Sequence, residues 1–213
     1  MSKLNSKSII EEVYGVSHIL KPAVSAKLET TDDMQAIFNK VSSCTKCPLH
    51  LGRTNPVFSD GDEKAQLMFI GEGPGEKEDE QGKPFVGKAG KLLTKMIEAM
   101  QLSREQVYIA NIVKCRPPEN RAPFKEEAEA CIPYLFNQIE VVKPKVIVCL
   151  GSVSSQYLLN TKETISRIRG KFVDFNGIKI MPTFHPASLL RSPNQKKFAW
   201  EDLQKVMELL NLK

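Results

Sequence analysis

Short apolar runs, separated by segments with helical spacing, make up most of the chain. Four of the runs are continuous and bounded by glycine, proline or polar residues, which is typical of buried β-strands. They cover residues 66–71, 107–110, 145–150 and 178–184. Between and after them, apolar positions recur with the period of amphipathic helices. Strands that alternate with helices predict an α/β sandwich with a mostly parallel sheet.

Capping and turn residues predict where several helices and strands begin or end. Thr31 is the expected N-cap of the first helix, and Pro123 suits the first turn of a later one. Asn176-Gly177 predicts a hairpin between 171–175 and the last strand. The acidic run 76–80 is expected to be a polar, solvated loop. The predicted helices cover residues 32–41, 88–100, 123–142 and 194–211.

Length and composition favour one globular domain. The chain has 213 residues, of which 41% are hydrophobic, enough for a substantial core. Residues 1–30 mix lysine, serine and short apolar runs, so we expect a loosely ordered extension followed by a single domain over 31–213. The sequence lacks a long apolar run and a signal-peptide core, which predicts an intracellular, cytoplasmic protein with no membrane segment.

The net charge of +5 lies in the second half of the chain. A basic half favours a polyanionic partner such as nucleic acid. Ordinary solubilisation by lysine explains the same excess equally well, so charge alone leaves the two readings even.

The stretch 66–93 organises the chain as strand, glycine loop, polar arm and helix. Gly82 to Ala89 comes within one residue of a phosphate-binding P-loop, but it lacks the Ser/Thr that holds magnesium and lies too far from its strand. Gly71, Gly73 and Gly75 are too closely spaced for a dinucleotide-binding fingerprint. A nucleotide-binding role is therefore disfavoured.

Five cysteines in an intracellular chain argue against a disulfide framework. Cys149 lies inside an apolar strand and is expected to be a small core residue. The other four are candidate thiolate ligands for either structural zinc or an iron–sulfur cluster. Four unrelated reduced thiols remain an alternative. The candidate ligands are Cys44, Cys47, Cys115 and Cys131.

Polar side chains follow three of the predicted strands. Glu72, Asn111 and His185 each come directly after an apolar run or end it. Because parallel strands bring their carboxyl ends to one edge of a sheet, we expect these three to converge on a ligand site.

Four ordered motifs resemble the family 4 uracil-DNA glycosylases. They are G-E-G-P-G-E-x-E-D at 71–79, G-K-P-F-V-G-x-A-G at 82–90, N-x-x-K-C-R-P-P-x-N-R at 111–121 and H-P-A-S-L-L-R at 185–191. The resemblance covers roughly 34–210, and the spacing of the four candidate cysteines is similar to that of the family's [4Fe–4S] cluster. It implies a three-layer α/β/α sandwich around a central, mostly parallel four-stranded sheet.

The resemblance implies a monofunctional glycosylase of base excision repair, which hydrolyses the N-glycosidic bond of a flipped-out deoxyuridine and leaves an abasic site. The expected partner is uracil-containing DNA, the expected cofactor is the [4Fe–4S] cluster, and we expect a monomer. Two alternatives remain. One is a zinc- or cluster-stabilised nucleic-acid-binding module, and the other is a relative of the same fold that binds uracil-DNA without turnover.

The resemblance also implies site residues. Phe85 would stack on uracil, Asn111 would read its edge, and His185 would stabilise charge on O2. Glu72 and Asn120 would organise the attacking water. The remaining substrate contacts would be Gly73, where the family more often has alanine, and Glu78 near the pyrimidine C5 edge.

Leu189 resembles the apolar wedge that fills the gap left by a flipped base. Four basic side chains would contact the surrounding phosphates. They are Lys114, Arg116, Arg121 and Arg191.

Overall fold

The centre of the fold, in a computed structural model that describes residues 33–212, is one six-stranded sheet. Its strand order is β1-β3-β2-β4-β6-β5. The strands are β1 (Asp60–Gly61), β2 (Leu67–Gly71), β3 (Tyr108–Asn111), β4 (Val146–Leu150), β5 (Val173–Phe175) and β6 (Ile178–Thr183).

The four central strands run parallel, as predicted, and the two edge strands run antiparallel to their neighbours. The α/β class is therefore confirmed, but the sheet has six strands instead of four. β5 and β6 form the predicted hairpin. β1 has only two residues, Asp60 and Gly61, which lack any apolar pattern, so the sequence carries no signal for it.

Helices connect these strands. The first begins two residues later than expected, because Asp33 accepts the capping hydrogen bond from the Ala36 N–H. Thr31 itself lies outside the described residues. The helices are α1 (Met34–Ser42), α2 (Glu76–Gln81), α3 (Lys88–Ala99), α4 (Lys125–Val142), α5 (Gly151–Leu159), α6 (Ile165–Ile168), α7 (Pro186–Arg191) and α8 (Lys196–Leu209).

Alternate strand residues face two separate apolar cores, which makes the three layers. Met68 and Ile70 of β2 pack with α1, α4 and α5 on one face. Leu67 and Phe69 of the same strand pack with α3 and α8 on the other. A strand buried on both faces is continuous in apolar character, which is why the sequence shows short unbroken runs.

The acidic run predicted to be a solvated loop is the short helix α2. Asp79, within it, is buried, and both of its carboxylate oxygens accept from the Thr54 N–H at 3.0 Å. The Asn55 side-chain amide donates to the Asp79 carbonyl at 2.9 Å. The prediction was wrong because these partners lie over twenty residues away in sequence, where local pattern gives no sign of them.

No helix in the described part of the chain is long and apolar enough to cross a membrane. The predicted extension over residues 1–30 lies outside the described residues, so that prediction and the domain boundary at residue 31 stay predictions.

Candidate active site

The carboxyl ends of β2 and β3 bring a glycine, an asparagine and a phenylalanine together. Gly71 pairs with Asn111 across the parallel ladder. A Cβ on Gly71 would lie 2.5 Å from Asn111 Oδ1 and 2.5 Å from Phe85 Cζ. The missing side chain therefore lets the amide and the ring approach each other over the strand end. We call Glu72, Phe85, Asn111 and His185 the base pocket, after the ligand that the resemblance implies for them.

Asn111 holds an unsatisfied acceptor in this pocket. Its side chain is 2% exposed, and Oδ1 is the buried side-chain atom within residues 33–212 that has no hydrogen-bond partner. Such an atom costs about 1–3 kcal/mol of desolvation, so native proteins rarely keep one without a purpose. The geometry favours a ligand that brings an N–H to this oxygen.

Phe85 lies in the left-handed backbone region, with φ of 54°, although it is neither glycine nor asparagine. Its buried ring is centred 5.6 Å from the His185 ring and tilted 33° to it. Glu78 Oε1 accepts from the next two amides, of Val86 at 2.8 Å and of Gly87 at 2.7 Å. Glu78 thus holds the turn that presents the ring.

His185 caps α7 and is held as a neutral donor. Its Nδ1 accepts from the Ala187 N–H at 3.1 Å, which leaves the ring proton on Nε2. Burial lowers the pKa of His185 to about 4, so the imidazole is neutral at pH 7. Gly151, at φ +89°, permits this loop to close in, since a Cβ there would lie 2.9 Å from His185 Cβ.

Glu72 and Gly73 follow β2 directly. Glu72 is half-buried, and that burial raises the pKa of its carboxyl. Its carbonyl accepts from the Val113 N–H at 3.1 Å, which ties the loop to the residues after β3. A Cβ on Gly73 would lie 2.6 Å from Val113 Cγ2, so an alanine here would require Val113 to move.

Asn120 lies in the loop after Cys115, at φ 56°. Its Oδ1 accepts from Arg116 Nε at 2.8 Å. A Cβ on Gly75 would be 4.0 Å from that same oxygen, which places Asn120 against the glycine loop. Arg116 also approaches Glu76 at 3.9 Å. The loop that carries Asn120 is thus linked to the segment that follows β2.

Lys114 cannot contact a phosphate as predicted, because it is 1% exposed. Its ammonium donates to the Asn111 carbonyl at 2.9 Å and to Gln138 Oε1 at 2.6 Å. Burial lowers the pKa of Lys114 to about 8. The prediction was wrong because a lysine beside arginine and proline in the sequence looks like a surface cation.

The prediction that Leu189 is the wedge is also wrong, because its side chain is buried. It is 1% exposed and packs with Phe184 and Ala199. Its neighbour Leu190 is 45% exposed on the same helix. Arg191, at the end of that helix, is exposed, and its contact with phosphate stays a prediction. Of these two leucines, Leu190 is therefore the exposed one.

Arg121 has partners of its own. Its two terminal nitrogens each bond an oxygen of Glu127 at 2.8 Å, and its guanidinium lies 3.7 Å from the centre of the Phe124 ring. The arginine holds the pKa of Glu127 below its usual range. It fixes the start of α4, and its contact with phosphate stays a prediction.

The four candidate cysteine ligands line one cavity, together with Arg53, Lys114 and Tyr134. We call it the cysteine cavity. Arg53 Nη1 donates to Cys115 Sγ at 3.2 Å, and the Lys114 N–H donates to Cys131 Sγ at 3.3 Å. Cys149 lies apart, fully buried in β4 as expected.

The donor set suits a cationic centre. Burial raises the pKa of Cys115 and that of Cys131, the latter to about 11, and a positive charge in the cavity would favour the thiolate form of both. Among residues 33–212, no three His, Cys, Asp or Glu side chains are arranged to hold a single metal ion. The shared cavity, and not a preformed tetrahedral set, supports the ligand assignment.

Three residues at these sites had no signal in the sequence. Arg53 bonds a cysteine sulfur 62 residues away, Gln138 bonds Lys114 24 residues away, and Arg104 bonds the Phe85 carbonyl 19 residues away. None belongs to a motif, and only the folded chain brings each to its partner.

Comparisons with known proteins agree on one family. The sequence profile of the uracil DNA glycosylase superfamily matches residues 58–204. A Type-4 uracil-DNA glycosylase of Saccharolobus solfataricus is 50% identical over 85% of this chain and 88% of its own length. Proteins of the same name from Thermotoga maritima and Archaeoglobus fulgidus are both 44% identical, over 83% and 87% of this chain and 94% and 96% of theirs.

Proposed function

The chain belongs to the type-4 enzymes of the uracil-DNA glycosylase superfamily, and from this premise we propose how its residues release uracil from DNA. The protein is a monofunctional DNA glycosylase of DNA repair, which hydrolyses the bond between uracil N1 and the sugar C1′. An enzyme that acts on a stacked base must first extrude it into a snug pocket. The base pocket is our candidate.

The orphaned oxygen of Asn111 carries this proposal. Uracil presents an N3–H donor beside the O4 acceptor, and an amide offers the complementary acceptor and donor. Cytosine has an acceptor at N3 and a donor at C4, so the same amide orientation rejects it. The ring of Phe85, next to Asn111, provides a face on which the extruded base stacks.

His185 is our candidate for charge stabilisation. As the C1′–N1 bond breaks, the bonding pair leaves with uracil, and negative charge develops on O2. A neutral imidazole with its proton on Nε2 donates to that oxygen and does not need to ionise. In a comparable oxyanion hole, a single donor of this kind lowers the activation free energy by about 3–4 kcal/mol.

Water completes the hydrolysis. Its oxygen bonds to C1′, one of its protons leaves, and the uracil anion takes up a proton, so that the products are uracil and an abasic sugar. We assign the orientation of this water to Glu72 and Asn120, which flank the glycine loop. The raised pKa of Glu72 makes its carboxylate a better proton acceptor once it is ionised.

The rim of the pocket would hold the DNA. Leu190 is the apolar side chain free to enter the stack in place of the extruded base, and Arg191 follows it with an exposed cation. We assign to Glu78 the support of the Phe85 turn, because its carboxylate accepts hydrogen bonds from two amides of that turn. By holding the turn, Glu78 would also shape the pocket beside the pyrimidine C5 edge.

Cys44, Cys47, Cys115 and Cys131 would hold a [4Fe–4S] cluster in the cysteine cavity. When bound, the cluster supplies a rigid link between the segment after α1 and the loop that precedes α4, and it takes no part in the hydrolysis. We further propose that the protein acts as a monomer in the compartment that holds the DNA.

Asn111→Asp tests the proposal. The aspartate keeps an acceptor but replaces the amide donor by a second acceptor, which repels O4 of uracil and accepts from the amino group of cytosine. Single-turnover excision of uracil should fall, and weak excision of cytosine should appear. The measurement uses matched oligonucleotides with uracil or cytosine at one site, cleaved with alkali at the abasic product. Unchanged uracil excision by the variant would remove Asn111 from base recognition.

A further inference from the structure

The backbone of Phe85 adopts a conformation that its side chain disfavours. Its φ of 54° lies in the left-handed region, which non-glycine residues keep only where surrounding groups hold them there. The turn is also compressed, since a Cβ on Gly90 would lie 1.9 Å from the Phe85 carbonyl oxygen. Something outside the turn must therefore secure it.

Arg104 secures the turn from the side of its carbonyls. Its Nη1 donates to the Phe85 carbonyl at 3.1 Å, and its Nη2 donates to the Pro84 carbonyl at 3.0 Å. Nη1 also reaches Thr94 Oγ1 at 3.3 Å. One planar guanidinium thus fixes two successive carbonyls, which a lysine with a single ammonium cannot reproduce.

Arg104 is itself fixed to the sheet. Asp60 Oδ2 accepts from Nη2 at 2.7 Å and from Nε at 3.2 Å. Asp60 lies on β1, opposite Ile109 of β3, two residues before Asn111 on that strand. The same strand therefore positions the base-reading amide and, through Asp60, the arginine that holds the ring. Arg104 and Asp60 are part-buried, which limits exchange with water.

We propose that Arg104, anchored by Asp60, is a positioning residue that fixes the Phe85 ring at the correct height for the extruded base. This inference rests on the proposed function, in which Phe85 stacks on uracil. Glu78 holds the amides after Phe85 and Arg104 holds the carbonyls around it, so the turn is tied on both sides. Without Arg104 the strained turn relaxes and the ring leaves its position.

A double-mutant cycle tests the proposal. Arg104→Met removes every donor and keeps a long, unbranched side chain. It should lower kcat/KM for a uracil oligonucleotide roughly tenfold, a loss similar to that of removing one base–aromatic stacking contact. Phe85→Ala should lower it by a similar factor. If Arg104 acts through the ring, adding Arg104→Met to Phe85→Ala should cost less than about twofold more.

Two results would overturn the proposal. One is an Arg104→Met variant that is as active as the wild type, and the other is an equal loss in both backgrounds, which would mean that Arg104 acts independently of Phe85. Should Arg104→Met fail to fold, Asp60→Asn in the same cycle decides, because it weakens only the anchor. If the wild type cleaves nothing, the proposed function fails. The same cycle, measured as equilibrium affinity for the oligonucleotide, then still tests whether Arg104 positions Phe85.

Leu158→Ala is the control for general destabilisation. Leu158 is buried in the core on the other face of the sheet from Phe85. The variant should lower the melting temperature, and any effect on kcat/KM should be equal with and without Phe85→Ala. Arg167→Met is the control for loss of a cation, since Arg167 forms an exposed pair with Glu163 and should change neither quantity.

Discussion

The base pocket and the cysteine cavity are adjacent in sequence at Asn111 and Cys115, yet different forces hold them. Protein groups alone position the pocket: Glu78 accepts from the Val86 amide, His185 accepts from the Ala187 N–H, and Asn111 Oδ1 is a buried acceptor that has no protein partner. The cysteine cavity presents buried sulfurs whose raised pKa values oppose ionisation until a cation lies among them. The pocket is preorganised by hydrogen bonds, whereas the cavity gathers four cysteines that we propose bind an inorganic centre.

This difference suggests separate roles for the two regions, with the base pocket for catalysis and the cysteine cavity for holding a nearby loop. A catalytic site gains most from groups fixed before the substrate arrives, since they need no reorganisation during the reaction. The loop between Cys115 and the start of α4 carries Asn120 and belongs to no strand. A cluster that joins the loop to the segment after α1 would give it comparable rigidity. The predictions below test how separable the two regions are.

Cys115→Ala should have the largest effect. Removing one ligand should abolish the cluster, with loss of the broad absorption near ~400 nm typical of thiolate-bound iron–sulfur centres, and excision should fall to background. The measurement is the visible spectrum and iron content of protein purified without oxygen. Stoichiometric zinc without iron in the wild type would contradict the cluster and favour a zinc site.

Cys149→Ala is the matched control for this prediction. Cys149 is fully buried in β4 and away from the cavity, so the variant should keep its iron and its colour. It should lose only a small amount of stability, on the order of 1 kcal/mol for the small cavity created. Loss of iron in this variant would mean that the ligand set is misassigned.

His185→Ala should leave the cysteine cavity intact and slow the chemistry. A donor that matters only as the bond breaks lowers the single-turnover rate, here by roughly a hundredfold or more, with little change in affinity for uracil-DNA. The measurement is rate and dissociation constant on one oligonucleotide. A variant that cleaves at the wild-type rate would make His185 a structural cap of α7 and nothing more.

The pH dependence of stability provides a second measure of His185. Its pKa is about 4 in the folded protein and 6.5 in the unfolded chain, so between these values the unfolded chain binds more protons. The contribution of His185 to stability is therefore complete above pH 6.5 and declines as the pH falls towards 4. His185→Ala should flatten the fall in the free energy of unfolding across this window.

The sequence predicted the parts of the molecule that depend on local pattern. The four parallel strands and the hairpin at Asn176-Gly177 follow from periodicity and turn residues. The convergence of Glu72, Asn111 and His185 on one ligand stays a prediction. The burial of Lys114 and of Asp79 depends on partners 24 and 25 residues away, which no local pattern encodes. The choice between Leu189 and Leu190 depends on the rotation of one short helix, which the sequence alone does not fix.

Leu190→Ala should reduce activity by about tenfold on duplex DNA and by less on a single strand. A wedge offsets the cost of unstacking, a cost that is smaller for a base in a single strand. Leu189→Ala is the matched control: it should lower stability by about 2–5 kcal/mol, as other buried leucines do, and affect both substrates alike. The measurement is the ratio of single-turnover rates on duplex and single-stranded uracil. An unchanged ratio for Leu190→Ala would place the wedge elsewhere.

The smallest expected effect is on the salt dependence of DNA affinity. It should differ between a cation at the rim of the base pocket and one that is buried between the two regions. Arg191 is exposed, whereas Lys114 is buried, with its backbone N–H on Cys131 and its ammonium on the Asn111 carbonyl. Each phosphate contact releases condensed counterions, so Arg191→Ala should reduce the slope of log affinity against log salt by about one unit. Lys114→Met removes the same charge but no phosphate contact, so its slope should match the wild type while its preference for uracil over cytosine, which Asn111 reads, falls. Binding titrations at several salt concentrations measure both, and a reduced slope for Lys114→Met would mean that the buried ammonium reaches the DNA after all.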